Sequence, residues 1–585
     1  MKSYGPKNVT KGMFIEMSTT LPELPAAAGF SPEQKEYITG LFAGIAARGQ
    51  RFSDAEPVSE PKSEDLILEE RIKHELHPLD AYSQIIGNAV NNRAPDKEDT
   101  FRFKWNGLFF LTPVRDAFMA RLRIPGGVVT THQLRELARV AQELTTGYVQ
   151  ITTRANFQMR LIQPKDAPEV LRRIQGVGLH TRGAGADNIR NLTANPTAGI
   201  DPVELINVLP FVNQLAQIII NDRSFYDLPR KFNIAYDGGG LIGSVEDTND
   251  IGVKAVKSGD EILFRIALGG ATGHKSFARD LGVVVPPDEV NQVIVAILRV
   301  YIERGCRTDR KKARLKHLLE KMSLDEYLLQ VEKKLGKSLR RVPYDAAPLR
   351  WASQELPHSH IGDFPQKQRG LNYVGVTLPV GQITPKQMLR VADLADSYGS
   401  GEIRLTVWQN FIIPNVPDSF VPSLKRALEK MGLATRQSHL AGGIIACTGN
   451  SYCKYAQSNT KSHALELTKY LEKRIELDQP INIHLTGCPN SCAQHYMGDI
   501  GCLGVKARIG GVSVDGYHVF VGGGFGRNQA VGRQVFAGVT ATELPRALER
   551  MLRAFLKHRQ GRETFQQFTN RLDVGRLQEM FEAET

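Results

Sequence analysis

The chain has 585 residues, a net charge of +12, 23% charged and 42% apolar side chains, so it reads as an ordinary globular protein long enough for several domains. No apolar run is long enough to cross a bilayer: the stretch around 293–302 is short and interrupted by Arg299, and residues 1–17 lack the apolar segment of a secretory leader, which makes the cytoplasm the expected compartment and argues against a membrane. The positive balance suits nucleic acid, anionic lipid or an acidic protein partner, but no nucleic-acid motif accompanies it.

Residues up to about 100 read as a peripheral, helical N-terminal extension. Ser31, Pro32 and Glu33 form a good helix start, with the helix expected to run to Arg48, and residues 51–65, rich in Ser, Pro, Glu and Asp, read as a linker. From Phe103 the pattern is α/β. Strands are expected at 108–111 and 118–124, a turn at Pro125-Gly126-Gly127, a helix at 131–144, and strands at 148–153 and 157–162 around Thr153, Arg154 and Gln158. The same order returns at 373–379, 384–397 and 403–414. A second pair of segments repeats as well. Residues 192–196 lead through a helix to 231–236 and on to Leu268-Gly269-Gly270, and residues 446–450 lead through a helix to 481–485 and on to Val521-Gly522-Gly523-Gly524. The chain is therefore expected to be a long internal duplication, joined near 304–341 by a basic segment. Its densest run, 304–321, reads as a helix with a solvated face.

Four of the six cysteines lie in two short clusters in the second copy: Cys447-x5-Cys453, and Cys488-x3-Cys492 within Thr486-Gly487-Cys488-Pro489-Asn490-Ser491-Cys492. Disulfides are disfavoured in a chain with no secretory features. Structural zinc is a second reading, although paired zinc ligands are usually two to four residues apart. A [4Fe–4S] cube, which takes four thiolates, is a third. Spacing alone leaves these open.

The full motif closely resembles the signature of the sirohaem- and [4Fe–4S]-containing nitrite and sulfite reductases. The resemblance covers roughly residues 100–560. It implies a mixed α/β (α+β), three-lobed, internally duplicated nitrite/sulfite reductase fold with pseudo-two-fold symmetry. The expected division is an extension at 1–100, ferredoxin-like half-domains at 101–170 and 366–420, α/β domains at 171–300 and 421–585, and a basic linker at 301–365. The family pattern makes Cys447, Cys453, Cys488 and Cys492 the cluster ligands, with Cys492 bridging to the sirohaem iron and Asn490 among the cofactor contacts.

Where the second copy carries cysteines, the first carries cations: Arg190 before the 192–196 segment, and Arg230 and Lys231 at the start of the later strand. Basic groups at strand ends can converge on a polyanion. The resemblance places Arg121, Arg190 and Lys231 against the bound oxyanion, and Arg154, Gln158 and Arg230 on the macrocycle or its carboxylates. Sulfite-type relatives typically carry a second lysine two residues after the first. This chain has Lys231-Phe232-Asn233, which resembles the nitrite branch, as do the stretches 187–201 and 405–414. The resulting expectation is an assimilatory reductase taking nitrite to ammonia. A ferredoxin-dependent sulfite reductase and, from another class, a zinc-stapled anion-binding protein without activity are the alternatives. No Gly-x-Gly-x-x-Gly stands between a strand and a helix, so electrons must come from a partner. A basic surface suits an acidic ferredoxin, or a flavodoxin. A monomer is expected from family habit. Cys306 has no assigned role, and Cys502 reads as a small buried residue.

Overall fold

The structure is a computed structural model that describes residues 66–343, 349–350, 358, 360–436 and 438–584. The helix expected from Ser31 and the linker at 51–65 lie outside the described residues. The described chain begins with short helices, among them Leu68–Glu75 and Tyr82–Val90.

Two half-domains of the same build follow. Each has a helix of 14 residues, Thr131–Leu144 and Pro385–Tyr398. Each helix starts with a reciprocal capping box, Thr130 with Gln133 and Thr384 with Gln387. Each follows a turn that requires left-handed backbone, at Gly126 and Gly127 in one copy and at Val380 and Gly381 in the other. The close approach at these turns is reciprocal too. A Cβ on Gly127 would lie 2.6 Å from the Leu405 carbonyl oxygen, and one on Gly381 would lie 2.5 Å from that of Ile151.

The halves exchange strands. One sheet runs Leu108–Phe110, Phe118–Arg121, Phe157–Ile162, Val149–Ile151 and then Gln382–Ile383 from the second copy. The other runs Gly362–Pro365, Leu371–Val376, Phe411–Pro417, Glu402–Leu405 and then Val128–Thr130 from the first. Leu134, Leu137, Met388 and Val391 belong to one continuous buried core, so the two halves form a single lobe.

Each copy then builds an α/β lobe of its own. In the second copy Ile444–Ala446, Ile483–Thr486 and Ile500–Ile509 are parallel neighbours, and Val512–Val521 and Arg533–Thr540 continue the sheet antiparallel. In the first copy Ile234–Asp237 runs parallel to Ile251–Ser258, and Glu261–Leu268 and Arg279–Val285 follow antiparallel. The lobes have separate hydrophobic cores, which gives three lobes in all.

The basic segment differs from expectation. The helix Val290–Arg304 stops at Gly305. A short 3₁₀ turn at Arg310–Lys312 and a single turn at Leu315–Leu318 replace the expected continuous helix. Arg307, Arg310 and Arg314 face inward, onto Glu70, Asp187 and Asp250, whose side chains are fully buried. A buried carboxylate without a cation is costly, so these arginines are not a solvated face. The helix Leu324–Leu335 and Leu339 pack into the core of the first α/β lobe, so the linker expected at 301–365 belongs to that lobe over more than half of its length.

Candidate cofactor and oxyanion site

Both cysteine loops begin at the ends of adjacent parallel strands. Cys447 follows Ile444–Ala446, and its amide donates to the Leu485 carbonyl at 3.0 Å. Cys488 and Cys492 follow Ile483–Thr486. The carboxyl ends of parallel strands are where α/β sheets place ligands. The second loop is tightly turned, with Ser491 and Gln494 in left-handed backbone at φ 52° and 56°. Such strain in non-glycine residues tends to mark functional loops. The Gly487 amide donates to the Cys447 sulfur at 3.1 Å. Asn490 donates its backbone N–H to the Cys488 sulfur. Thr153 donates to the Cys492 carbonyl at 3.0 Å and so ties the first half-domain to the loop.

The four thiols lie within electrostatic reach of one another. Burial, with the other three thiols adding to it, pushes the Cys488 thiol up to about 12. Among the described residues, no three His, Cys, Asp or Glu side chains gather closely enough to hold a single metal ion. One zinc would need its sulfurs at about 2.3 Å. A cube spreads its four thiolates around a larger body.

The cations converge from the first copy. Arg121 ends the strand Phe118–Arg121, directly opposite Gln158 on the neighbouring strand. Arg121 and Arg190 donate to the same acceptor, the Ala184 carbonyl, at 3.2 and 2.6 Å. Arg190 also donates to the Ala186 carbonyl at 2.7 Å, and its buried Nε has no partner among the described residues. Arg154 reaches from the half-domain into the α/β lobe, donating to the Asn191 carbonyl at 2.9 Å and the Asn249 side chain at 2.8 Å. Arg230 lies 3.5 Å from Asp187.

Burial lowers the pKa of every one of these cations. Lys231 is brought down to about 7, first by burial and then by Arg314, with Cys492 acting in the opposite direction. Cys492 has the same effect on Arg121, so the cations and the cysteine loop share one electrostatic site. Asn233 follows Lys231 at strand spacing, so the two side chains share one side of the chain. The Asn233 backbone N–H donates to Asp250 at 2.8 Å.

Three residues belong to this site that the sequence reading passed over. Arg314 grips Asp250 through Nε and Nη2 at 3.1 and 2.7 Å and thereby holds the mount of Asn233. It sits in the basic run read as a solvated face. Arg160 follows Gln158 at strand spacing and donates to its side-chain oxygen at 2.7 Å, which leaves the Gln158 NH₂ free to donate. Period-two alternation would have placed Arg160 on that face. Lys461 is buried beside Cys447, with no motif to announce it.

The donor set fits the expected groups. Four thiols mark the iron–sulfur end. At the other end no carboxylate is within ion-pair distance of Arg121, Arg154, Arg190 or Lys231 among the described residues, while Asp187 and Asp250 are occupied by Arg310 and Arg314. Cations buried without counter-charge are costly, and a macrocycle bearing several carboxylates would offset that cost.

A duplicated scaffold with two cysteine loops carrying four thiols on one copy and a buried cation cluster on the other defines a redox enzyme acting on an anion. Residues 185–339 and 441–585 match the nitrite and sulphite reductase 4Fe-4S domain, and residues 113–177 and 364–431 match the nitrite/sulfite reductase ferredoxin-like half domain. The chain belongs to the nitrite and sulfite reductase family. It is 36% identical to a ferredoxin–nitrite reductase of Synechococcus elongatus, over 77% of this chain and 88% of the relative. It is 32% identical to a ferredoxin sulfite reductase of Mycolicibacterium paratuberculosis, over 87% and 95%. The structure of the NirA protein of Mycobacterium tuberculosis superposes with a TM-score of 0.81 at 30% identity, covering 88% of this chain and 97% of that one. The cofactors of this enzyme class are sirohaem and a [4Fe–4S] cluster. Among the described residues no helix is long and apolar enough to cross a membrane.

Proposed function

We propose that this protein reduces nitrite to ammonia with electrons from a reduced ferredoxin, in the cytoplasm. Nitrite, six electrons and eight protons give ammonium and two waters. The observation that carries the choice of nitrite is the pair Lys231 and Asn233: one cation and one neutral amide on the same side of the chain, where two cations would suit a more highly charged anion. The Synechococcus relative is named a ferredoxin–nitrite reductase.

Cys447, Cys453, Cys488 and Cys492 would hold the cluster, and Arg154, Gln158 and Arg230 would hold the carboxylates and rim of the macrocycle. When bound, the two groups supply an iron site for the anion and a path for electrons to it. The chain's own residues do the rest. Arg121, Arg190 and Lys231 orient the anion by charge-assisted hydrogen bonds and stabilise negative charge on its oxygens as they leave. Lys231 Nζ, an ammonium facing the anion, is placed to donate a proton to a departing oxygen. The Asn233 side-chain NH₂ adds a neutral donor.

The test is ammonium formation by the holoenzyme with reduced ferredoxin, with nitrite and sulfite compared by kcat/KM. The expected result is a clear preference for nitrite. Activity driven by ferredoxin should fall steeply with salt, and activity driven by a small dye should fall much less, because docking to a chain of charge +12 depends on unscreened attraction. A higher kcat/KM for sulfite would favour the second reading, which the mycobacterial relative supports.

A further inference from the structure

Apart from the cations that face the anion, two buried cations lie against the Cys447–Cys453 loop, and the reaction described above assigns them no step. Arg160 is 2% exposed, within the strand Phe157–Ile162 of the first half-domain. Its guanidinium donates to Gln150 at 2.8 and 3.0 Å, to Gln158 at 2.7 Å, to Thr448 at 2.8 Å and to the Met119 sulfur at 3.2 Å, and it lies over the Tyr452 ring at 5.4 Å. None of these partners is a carboxylate. Thr448 and Tyr452 belong to the Cys447-x5-Cys453 loop itself, and both cysteines act electrostatically on Arg160.

Lys461 approaches the same loop from the second copy. It is 6% exposed, and its Nζ donates to the carbonyls of Val380 at 2.5 Å and Ala446 at 3.0 Å. It too has no carboxylate partner among the described residues. It also sits in the first turn of the helix Thr460–Leu471, at the positive end of the helix dipole, where a cation is disfavoured. The Cys447 loop packs on that same helix start, with Thr460 donating to the Cys447 carbonyl at 2.9 Å. Two buried cations, one of them placed against a helix dipole, need a negative body close by.

We propose that Arg160 and Lys461 are positioning residues that raise the reduction potential of the [4Fe–4S] cluster at the Cys447–Cys453 edge, easing electron entry from the donor. The inference rests on the reading that the four cysteines hold that cluster. Each electron added makes the cluster and its thiolates one unit more negative. A fixed cation in a water-poor setting stabilises the reduced state more than the oxidised one, and charge and hydrogen bonding around the sulfurs are known levers on such potentials. The arginine does this with a charge that is never lost near neutral pH.

The experiment is a redox titration of the holoenzyme, with the reduced cluster followed by electron paramagnetic resonance, in wild type, Arg160→Gln, Arg160→Lys and Lys461→Gln. Arg160→Gln and Lys461→Gln should each move the cluster midpoint to a more negative potential, and Arg160→Lys should restore most of the wild-type value. Arg160→Gln should also slow reduction of the cluster by a donor of fixed potential. A merely structural role would change thermal stability and leave the midpoint in place. The inference is overturned if Arg160→Gln and Lys461→Gln both carry a full cluster with unchanged midpoints. If Arg160→Gln does not fold, the Lys461→Gln midpoint decides. A wild-type protein with no cluster signal at all would instead refute the cofactor reading, so the two failures are distinguishable.

Discussion

Asp250 gives the sharpest test of how the anion site is mounted. Its carboxylate is fully buried, accepts both contacts from Arg314 and also takes the amide of Asn233. Asp250→Asn keeps the shape and removes the charge. Arg314 would then be a buried cation beside Lys231, which it already opposes electrostatically. Breaking a buried pair by neutralising one partner costs about 3–5 kcal/mol. At roughly 1.4 kcal/mol per decade this amounts to two to four decades in the local opening equilibrium. The assay is native-state hydrogen exchange. The Asn233 amide loses its charged acceptor directly, so the Ile251 amide, which donates to the Asn233 carbonyl at 3.1 Å, is the cleaner probe. Its exchange should accelerate by those two to four decades, and KM for nitrite should rise as Lys231 and Asn233 lose their mount. Replacing both partners, as Asp250→Leu with Arg314→Met, should recover much of the loss. A remainder of about 1–3 kcal/mol should persist, because the Asn233 amide stays unsatisfied. Acceleration below tenfold in Asp250→Asn would show that the ion pair does not hold the site.

Asn233→Lys should raise the ratio of sulfite to nitrite kcat/KM by roughly ten- to a hundredfold, from one added charge-assisted contact of about 1.5–3 kcal/mol, while Lys231→Ala should impair both reactions. A holoenzyme with normal cofactor and an unchanged ratio would contradict the charge-matching account. Cys492→Ser should disturb both the iron–sulfur signal and the haem absorption, and normal iron content with unaltered absorption would dismiss a shared ligand. Burial lowers His360 to about 3, His484 to about 4 and His495 to about 3, all from 6.5, and all three are at most 2% exposed. An unfolded chain takes up these protons first, so stability is complete above pH 6.5 and falls as pH drops toward 4. Thermal midpoints that stay flat from pH 6.5 to 4.5 would show that these imidazoles are not buried neutral.

The cysteine motif was legible because its four cysteines lie in two short loops, where spacing is a local property that the chain carries on its face. The duplication was legible for a similar reason: Thr130 with Gln133 and Thr384 with Gln387 are the same helix start written twice. Cys502, expected to be a small buried residue, is buried in the core of the second α/β lobe. The exchange of Val128–Thr130 and Gln382–Ile383 between half-domains was not legible, because strands of three and two residues carry no information about a partner in the other copy. Nor was the fate of the basic run. Arg310 and Arg314 pair with Asp187 and Asp250, 123 and 64 residues away, and a local window sees only a charged stretch that defaults to solvent. Arg160 lies between these cases: its face was implied by Gln158, but the absence of a carboxylate partner among the described residues was not. Local sequence determined which residues could ligate iron and where helices begin. Which cations lose their water is set by what packs over them, and that is a property of the tertiary structure alone.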